Sequence, residues 1–179
     1  CLSACSFCQV KIARGKLKSF DEPLILAEIR RLVKCGCKEI WLTSQDNGCY
    51  GRDRGSSLAD LLDKISRVEG DFKVRVGMMN PTYVVDDIGR LADVLRDDRF
   101  FKFLHIPVQS GCNDVLSDMR RGYTREDFIR IVNEARQRIP MLTLSTDVIV
   151  GYPTEEETCF KDTISLLEAV KPDIVNISR

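Results

Sequence analysis

Residues 21–44 read "DEPLILAEIRRLVKCGCKEIWLTS", and this stretch decides the fold. Pro23 sits where a first helical turn accepts proline, since the amide it lacks would have no partner there. Leu26, Ile29, Leu32 and Val33 recur on one helical stripe, and Gly36 ends the run. "KEIWLTS" follows at once with the β-branched and aromatic character of a strand. A helix feeding directly into a strand is half of a βα unit.

The same alternation continues along the chain. "SSLADLLDKISRVEG" reads as a helix, "FKVRVGM" as a strand, "VVDDIGRLADVLRDD" as a helix and "FKFLHIPVQ" as a strand. A short helix near "NDVLSDM" and a longer one, "TREDFIRIVNEARQRI", lead to strand "LTLSTDVIV", helix "EEETCFKDTISLLEAV" and strand "DIVNIS". Strands separated by helices in this way predict an α/β fold with a parallel sheet.

Period-2 alternation then sorts the strand residues into faces. Leu104, Ile106 and Val108 share one face and His105, Pro107 and Gln109 the other. Thr143, Ser145 and Asp147 oppose Leu144, Thr146 and Val148, while Arg75 and Gly77 oppose Val74 and Val76. Trp41, Thr43 and Gln45 fall together, as do Asn176 and Ser178. A parallel sheet covered on both faces reads as nearly continuous hydrophobics. Here one face is polar, which predicts a curved sheet with a ligand on its concave side, or else a satisfied internal hydrogen-bond network. Pro107 predicts a strand end or bulge, leaving "QSG" (109–111) as a loop at the mouth. "SQDNGCYGRDRG" and "GYPTEEE" are two further mouth loops. The glycines of the first fit neither the dinucleotide nor the phosphate-loop pattern.

The chain has 179 residues, 44% hydrophobic and 30% charged, enough for one domain with a substantial core. Lysine plus arginine (27) balances aspartate plus glutamate (27), so nucleic-acid contact must come from a local patch or another domain. With no apolar run of about 18 residues and no leader pattern, the expected setting is cytosolic, with no membrane partner. Eight cysteines in a reducing compartment argue for metal chemistry over disulfides. Only Cys1, Cys5 and Cys8 cluster. Cys35, Cys37, Cys49, Cys112 and Cys159 read as ordinary small half-buried residues, and spacing gives Cys112 and Cys159 no partner.

The opening trio has several readings. As a helical stripe it lacks support from Leu2 and Phe7. As structural zinc or an electron-transfer cluster it lacks the fourth ligand that such sites usually have. A four-iron cluster with one open iron remains, and an open metal position is the mark of catalysis. In this form "CxxxCxxC" resembles the radical S-adenosylmethionine (SAM) superfamily. "ARG", "LTSQDNGCYGRD", "RVGMMNP", "HIPVQSG", "VLSDMRRGYTREDF" and "STDVIVGYPTEEE" together resemble its methylthiotransferases. "RVGMMNP" with "LTSQD" is most similar to the archaeal and eukaryotic branch acting on threonylcarbamoyladenosine in tRNA. Relatives acting on isopentenyladenosine or on a ribosomal-protein aspartate are less similar there. An iron-sulfur electron-transfer or binding module is the rival class.

The resemblance implies a TIM-like (β/α)6 barrel, here partial, with its first strand before Cys1. It implies a [4Fe-4S] cluster on Cys1, Cys5 and Cys8, with SAM chelated to the free iron. The deoxyadenosyl radical would take the hydrogen at C2 of the adenine, where a methylthio group is installed. Phe7 would pack on the SAM adenine, and Ser44, Gln45 and Asp46 would meet its amino group. Gln109 and Ser110 would meet the ribose, Arg121 the carboxylate, and Asp147 with Gly151 would close the adenine side. Arg120 and Arg121 also read as a solvated helix end, and Asp147 as structural. Lys11, Arg14, Lys16 and Lys18 read as a tRNA phosphate patch or, with slight preference, as the exposed edge of the cluster loop. Thr154 and Glu156 depart from many relatives, which have glycine and threonine there. The resemblance further implies that residues 1–179 are a radical SAM core. A second [4Fe-4S] cluster would sit in an N-terminal domain and a tRNA-binding domain would lie beyond the C-terminus. A reduced protein would supply electrons, and the core alone is expected to methylthiolate little.

Overall fold

A computed structural model describes all 179 residues. The elements run α1 (Val10–Arg14), α2 (Glu22–Lys34), β1 (Glu39–Leu42), α3 (Leu58–Ser66), β2 (Lys73–Val76), α4 (Pro81–Val84), α5 (Ile88–Leu95), β3 (Phe103–His105), α6 (Asn113–Asp118), α7 (Arg125–Arg138), β4 (Thr143–Ile149), α8 (Glu157–Val170) and β5 (Ile174–Ser178). A short 3-10 turn, Asn47–Cys49, follows β1.

All pairing is parallel: β1 with β2, β3 with β4 and β4 with β5. A Val74–Phe100 bridge and the bond from Met79 N to His105 O, 2.9 Å, carry the sheet from β2 to β3. The strand order is therefore the chain order, an open, partial barrel of five parallel strands. Its core lies on the convex side, where Val74, Val76, Leu104 and Ile106 meet Leu62 and Ile65 of α3 and Phe128 and Ile131 of α7. Each such large side chain contributes roughly 1.5–3 kcal/mol by leaving water. No helix is long and apolar enough to cross a membrane.

Local signals explain the helix starts. Ser57 with Asp60, and Thr124 with Asp127, form reciprocal capping boxes on α3 and α7, worth about 1 kcal/mol each. The helix expected over 84–98 is instead split. Asn80 accepts from Thr82 N, Pro81 fills the first turn of α4, and a turn at Asp86–Asp87 precedes α5. The strand expected over 101–109 is regular only from Phe103 to His105, because Pro107 has no amide for the ladder.

Candidate functional site at the mouth of the sheet

The concave face follows the predicted alternation. Parallel register lays Trp41 beside Arg75, His105 beside Ser145, and Asp147 beside Asn176. Near the floor the Arg75 guanidinium lies between two rings, 4.8 Å from the centre of Trp41 and 4.4 Å from that of Phe103. Higher up, His105 Nε2 is 2.8 Å and Asn176 Nδ2 2.7 Å from Asp147 Oδ1. The carboxylate acceptor fixes the Nε2–H tautomer of His105. Burial pushes the Asp147 carboxyl up, but the hydrogen bonds from His105 and Asn176 outweigh it and hold the group below the usual carboxylate range. The polar face here is a bonded network with one carboxylate oxygen left over.

Thr146 repairs the ladder where Pro107 interrupts it. Its hydroxyl donates to Ile106 O at 2.8 Å and accepts from Val108 N at 3.0 Å. The chain re-enters register at Gln109, which takes a φ of 70° while its backbone pairs with Asp147 and Ile149. Ser110 behaves differently from its predicted role. It is 0% exposed, with its hydroxyl 3.3 Å from Thr163 Oγ1 and accepting from Cys112 N. That hydroxyl ties the loop to α8 and does not face the mouth.

Residues 1–9 form an extended segment with a turn at Ser6–Phe7, not a helix. Its serines fasten it. Ser3 Oγ pairs with Tyr83 Oη at 2.8 Å and accepts from Asn80 Nδ2 at 3.0 Å. Ser6 N donates to Met119 O, and Ser6 Oγ bonds Asp118 O and Tyr152 Oη, both at 2.8 Å. The intervening Cys1, Cys5 and Cys8 stay half-buried with free thiols, and Phe7 stays exposed. No three His, Cys, Asp or Glu side chains close on a single-ion site, whereas thiolates on separate corners of a cluster stand farther apart.

Two charged groups flank the trio. Arg121 donates through Nη1 to Cys5 Sγ at 3.3 Å, through Nη2 to Pro107 O at 3.0 Å, and through Nε to Tyr123 Oη at 3.1 Å. Burial opposes its charge, yet Tyr123 and Cys5 hold the guanidinium above its ordinary value. Burial pushes the Tyr123 phenol up to about 12. Arg120 takes φ 55° and points to solvent, so of the two arginines only Arg121 turns inward. Asp46 is buried. Its Oδ1 accepts from Asn80 N and Gly48 N, both at 3.0 Å, and Oδ2 lies 3.6 Å from Cys1 Sγ. Burial pushes its carboxyl up against the pull of those amides. Ser44 accepts from Asp46 N, and Ser44 and Gln45 are exposed along a cleft of about 530 Å³ that reaches Cys1. Gly151, at φ 75°, has open space on its side-chain face and donates its N–H to Glu155 Oε2 at 2.6 Å.

The donor set suits iron and sulfide. Three half-buried thiols lie on one short segment, a guanidinium stands beside one of them, and a further cysteine, Cys49, is withheld. Cys49 is wholly buried and donates to Asp46 O at 3.2 Å. Burial, then the Asp46 charge, pushes its thiol up, away from the thiolate form that binds metal. The remaining cysteines hold one surprise. Cys112 and Cys159, far apart in sequence, share a small buried cluster with Val115 and Met119, and contact with Cys112 pushes the Cys159 thiol up. Only the docking of the 110–112 loop on α8 brings them together, so spacing could not show it. Ser3, Ser6, Tyr83 and Tyr152 were likewise missed, since their roles exist only across elements.

A family model described as the Radical SAM superfamily matches residues 1–167. The "Probable threonylcarbamoyladenosine tRNA methylthiotransferase" of Pyrococcus abyssi is 48% identical over 179 residues, covering 100% of this chain and 42% of that protein. The protein of the same name from Archaeoglobus fulgidus is 49% identical over 180 residues, with the same coverage. The Drosophila melanogaster threonylcarbamoyladenosine tRNA methylthiotransferase is 45% identical over 167 residues, 93% of this chain and 30% of its own. The chain thus spans well under half the length of these relatives. Among solved structures, Escherichia coli coproporphyrinogen III oxidase HemN, described as a radical SAM enzyme, superposes with a TM-score of 0.62 at 18% identity, over 98% of this chain and 42% of that one. The cobalamin-dependent S-adenosylmethionine radical enzyme OxsB gives 0.65 at 15%, over 86% and 23%. At those identities the likeness is one of fold. With its family match running from the first thiol through most of α8, the chain belongs to the radical SAM superfamily.

Proposed function

We propose that these 179 residues act as the radical SAM core of a tRNA methylthiotransferase, an enzyme adding a methylthio group to C2 of N6-threonylcarbamoyladenosine beside the anticodon. The observation that carries the reading is the mouth itself. Cys1 opens onto the cleft, Cys5 and Cys8 stay half-buried on the same short segment, Arg121 bonds Cys5, Asp46 lies beside Cys1, and Cys49 is buried. Relatives of that name, 45–49% identical along nearly the whole chain, support the choice of substrate.

In this reading Cys1, Cys5 and Cys8 hold a [4Fe-4S] cluster. When bound, the cluster supplies the electron that splits the sulfonium of SAM. The chain's own groups then position and enclose. Arg121 spends three donors on Cys5, Pro107 and Tyr123 and keeps two N–H groups for a carboxylate. Ser44 and Gln45 offer the rim to an amino group, with Asp46 fixing that corner. Gln109 lends its unbonded side-chain amide to a ribose. Asp147 has Oδ2 free, Gly151 lets a flat ring approach its backbone, and Phe7 offers an exposed face for stacking. Ser110 acts through the loop it anchors. A second [4Fe-4S] cluster, in an N-terminal domain, belongs to the same reading. tRNA, a reduced electron-donor protein and a cytosolic setting complete it.

Anaerobic reconstitution with iron and sulfide, followed by SAM and a reductant, tests the core chemistry. We expect 5′-deoxyadenosine and methionine, abolished by Cys1→Ala, Cys5→Ala or Cys8→Ala. A cluster that forms but leaves SAM intact would instead make the chain an electron-transfer module. Mass spectrometry of tRNA nucleosides, with and without the protein in cells, tests the substrate.

A further inference from the structure

The strap joining α1 to α2 is held rigidly at one end while its cationic side chains are left free. Ser19 is buried. Its N–H donates to Asp53 Oδ2 at 2.8 Å, its Oγ accepts from Gly51 N at 2.9 Å, and its carbonyl accepts from Arg54 Nη1 at 3.2 Å. Tyr50 Oη donates to Phe20 O at 3.1 Å. These bonds clamp the backbone to the loop after β1 and leave the neighbouring side chains outside. Phe20 is 78% exposed. Arg14, Lys16 and Lys18 are exposed too, and none takes part in the chain's ion pairs, although Arg54 pairs with Asp21 and Lys64 with Glu22 nearby.

All four side chains line the 530 Å³ cleft that ends at Cys1. A single exposed phenylalanine or a few surface lysines need no explanation. Here three unpaired cations and a bare ring line one approach to Cys1, on a strap clamped at its Ser19–Phe20 end. The nearby carboxylates are engaged, Asp53 by Ser19, Asp21 by Arg54, and Asp46 by the Asn80 and Gly48 amides. The rim is therefore electropositive without being neutralised from within.

We propose that Arg14, Lys16, Lys18 and Phe20 form a docking surface for looped, single-stranded RNA, the cations on successive phosphates and the Phe20 ring under an unstacked base. The cations alone would suit any polyanion; the aromatic face beside them favours a strand with splayed bases. The inference rests on the tRNA reading above, but its test does not pass through the cluster.

Fluorescence anisotropy of the purified protein with a labelled anticodon stem-loop, across a salt series, reads the surface directly. Lys16→Ala and Lys18→Ala should each lower affinity and reduce the salt slope by about 0.7–0.9. Phe20→Ala should weaken loop binding about tenfold with the slope unchanged, and should not affect binding of a fully paired duplex. Wild-type loop affinity in these variants would overturn the proposal. So would equal displacement by an acidic peptide, or equal loss on loop and duplex in Phe20→Ala. RNA binding without SAM cleavage by the wild type would sink the enzyme reading and leave the surface standing.

Discussion

Arg121 Nη1 lies 3.3 Å from Cys5 Sγ while Nη2 of the same guanidinium bonds Pro107 O at 3.0 Å. One side chain thus ties the cysteine segment to the interrupted end of β3. A lysine can keep the charge but not the fork. Arg121→Lys should therefore fold and still reconstitute, yet form 5′-deoxyadenosine at least about tenfold more slowly. Arg121→Ala strips buried Tyr123 and Pro107 of a donor, costing about 1–3 kcal/mol and roughly 2–4 °C in Tm per kcal/mol. Thermal melts and the deoxyadenosine assay check both, and a fully active lysine variant would contradict the fork.

Thr146 is 0% exposed, and its one hydroxyl serves both Ile106 O and Val108 N. Thr146→Val keeps the shape but leaves a buried acceptor and a buried donor without partners, at about 1–3 kcal/mol for each. Thr146→Ser keeps the hydroxyl and gives up only a methyl group, so it should cost about 1 kcal/mol. Urea unfolding of the two variants checks the order. If serine proves the worse, packing and not the repaired ladder holds this bend.

These two sites divide what was legible from what was not. Strand faces could be read because alternation is local, and the inward set of Trp41, Arg75, His105 and Asp147 follows from a period of two. Pro107 announced its own bulge, but nothing in the string named Thr146 as its remedy, since a threonine on the convex face reads as an ordinary strand residue. The split of α4 from α5 was signalled by Asn80-Pro81, a cap followed by a first-turn proline, which the stronger apolar run beyond it masked. Among the proposed ligand groups the three cysteines were visible by spacing. The Ser3 and Ser6 anchors and the Cys112 contact with Cys159 arise only when distant elements pack.

Asp147 should make the acid limb of stability steep. Its folded pKa is held below its ordinary value by His105 of β3 and Asn176 of β5, with the more distant charge of Arg121 adding to the effect. The unfolded value is about 3.9, so the carboxylate's contribution is complete above that pH. It is lost as pH falls through the lower folded pKa. Asp147→Asn should be less stable than wild type near neutrality, with the gap closing below about pH 4. Denaturation midpoints measured from pH 7 to pH 3 test this, and a constant gap would place the effect in geometry and not in charge.

Gly111 shows how closely the mouth loop approaches α8. A Cβ there would stand 2.6 Å from Asp162 O and 2.6 Å from Thr163 Cα, both backbone atoms that cannot swing aside. The glycine N–H also donates to Thr163 Oγ1 at 2.8 Å. Gly111→Ala must push the loop off the helix, breaking that bond and disturbing Ser110, at a cost of about 1–3 kcal/mol or more. Because the same shift separates Cys112 from Cys159, the Cys159 thiol should become easier to alkylate. Gly151→Ala, where the side-chain face is open, should cost only the strain of its positive φ, about 1–2 kcal/mol. Mass-resolved alkylation of the two variants decides it. Unchanged Cys159 labelling in Gly111→Ala would mean the loop had absorbed the methyl without leaving α8.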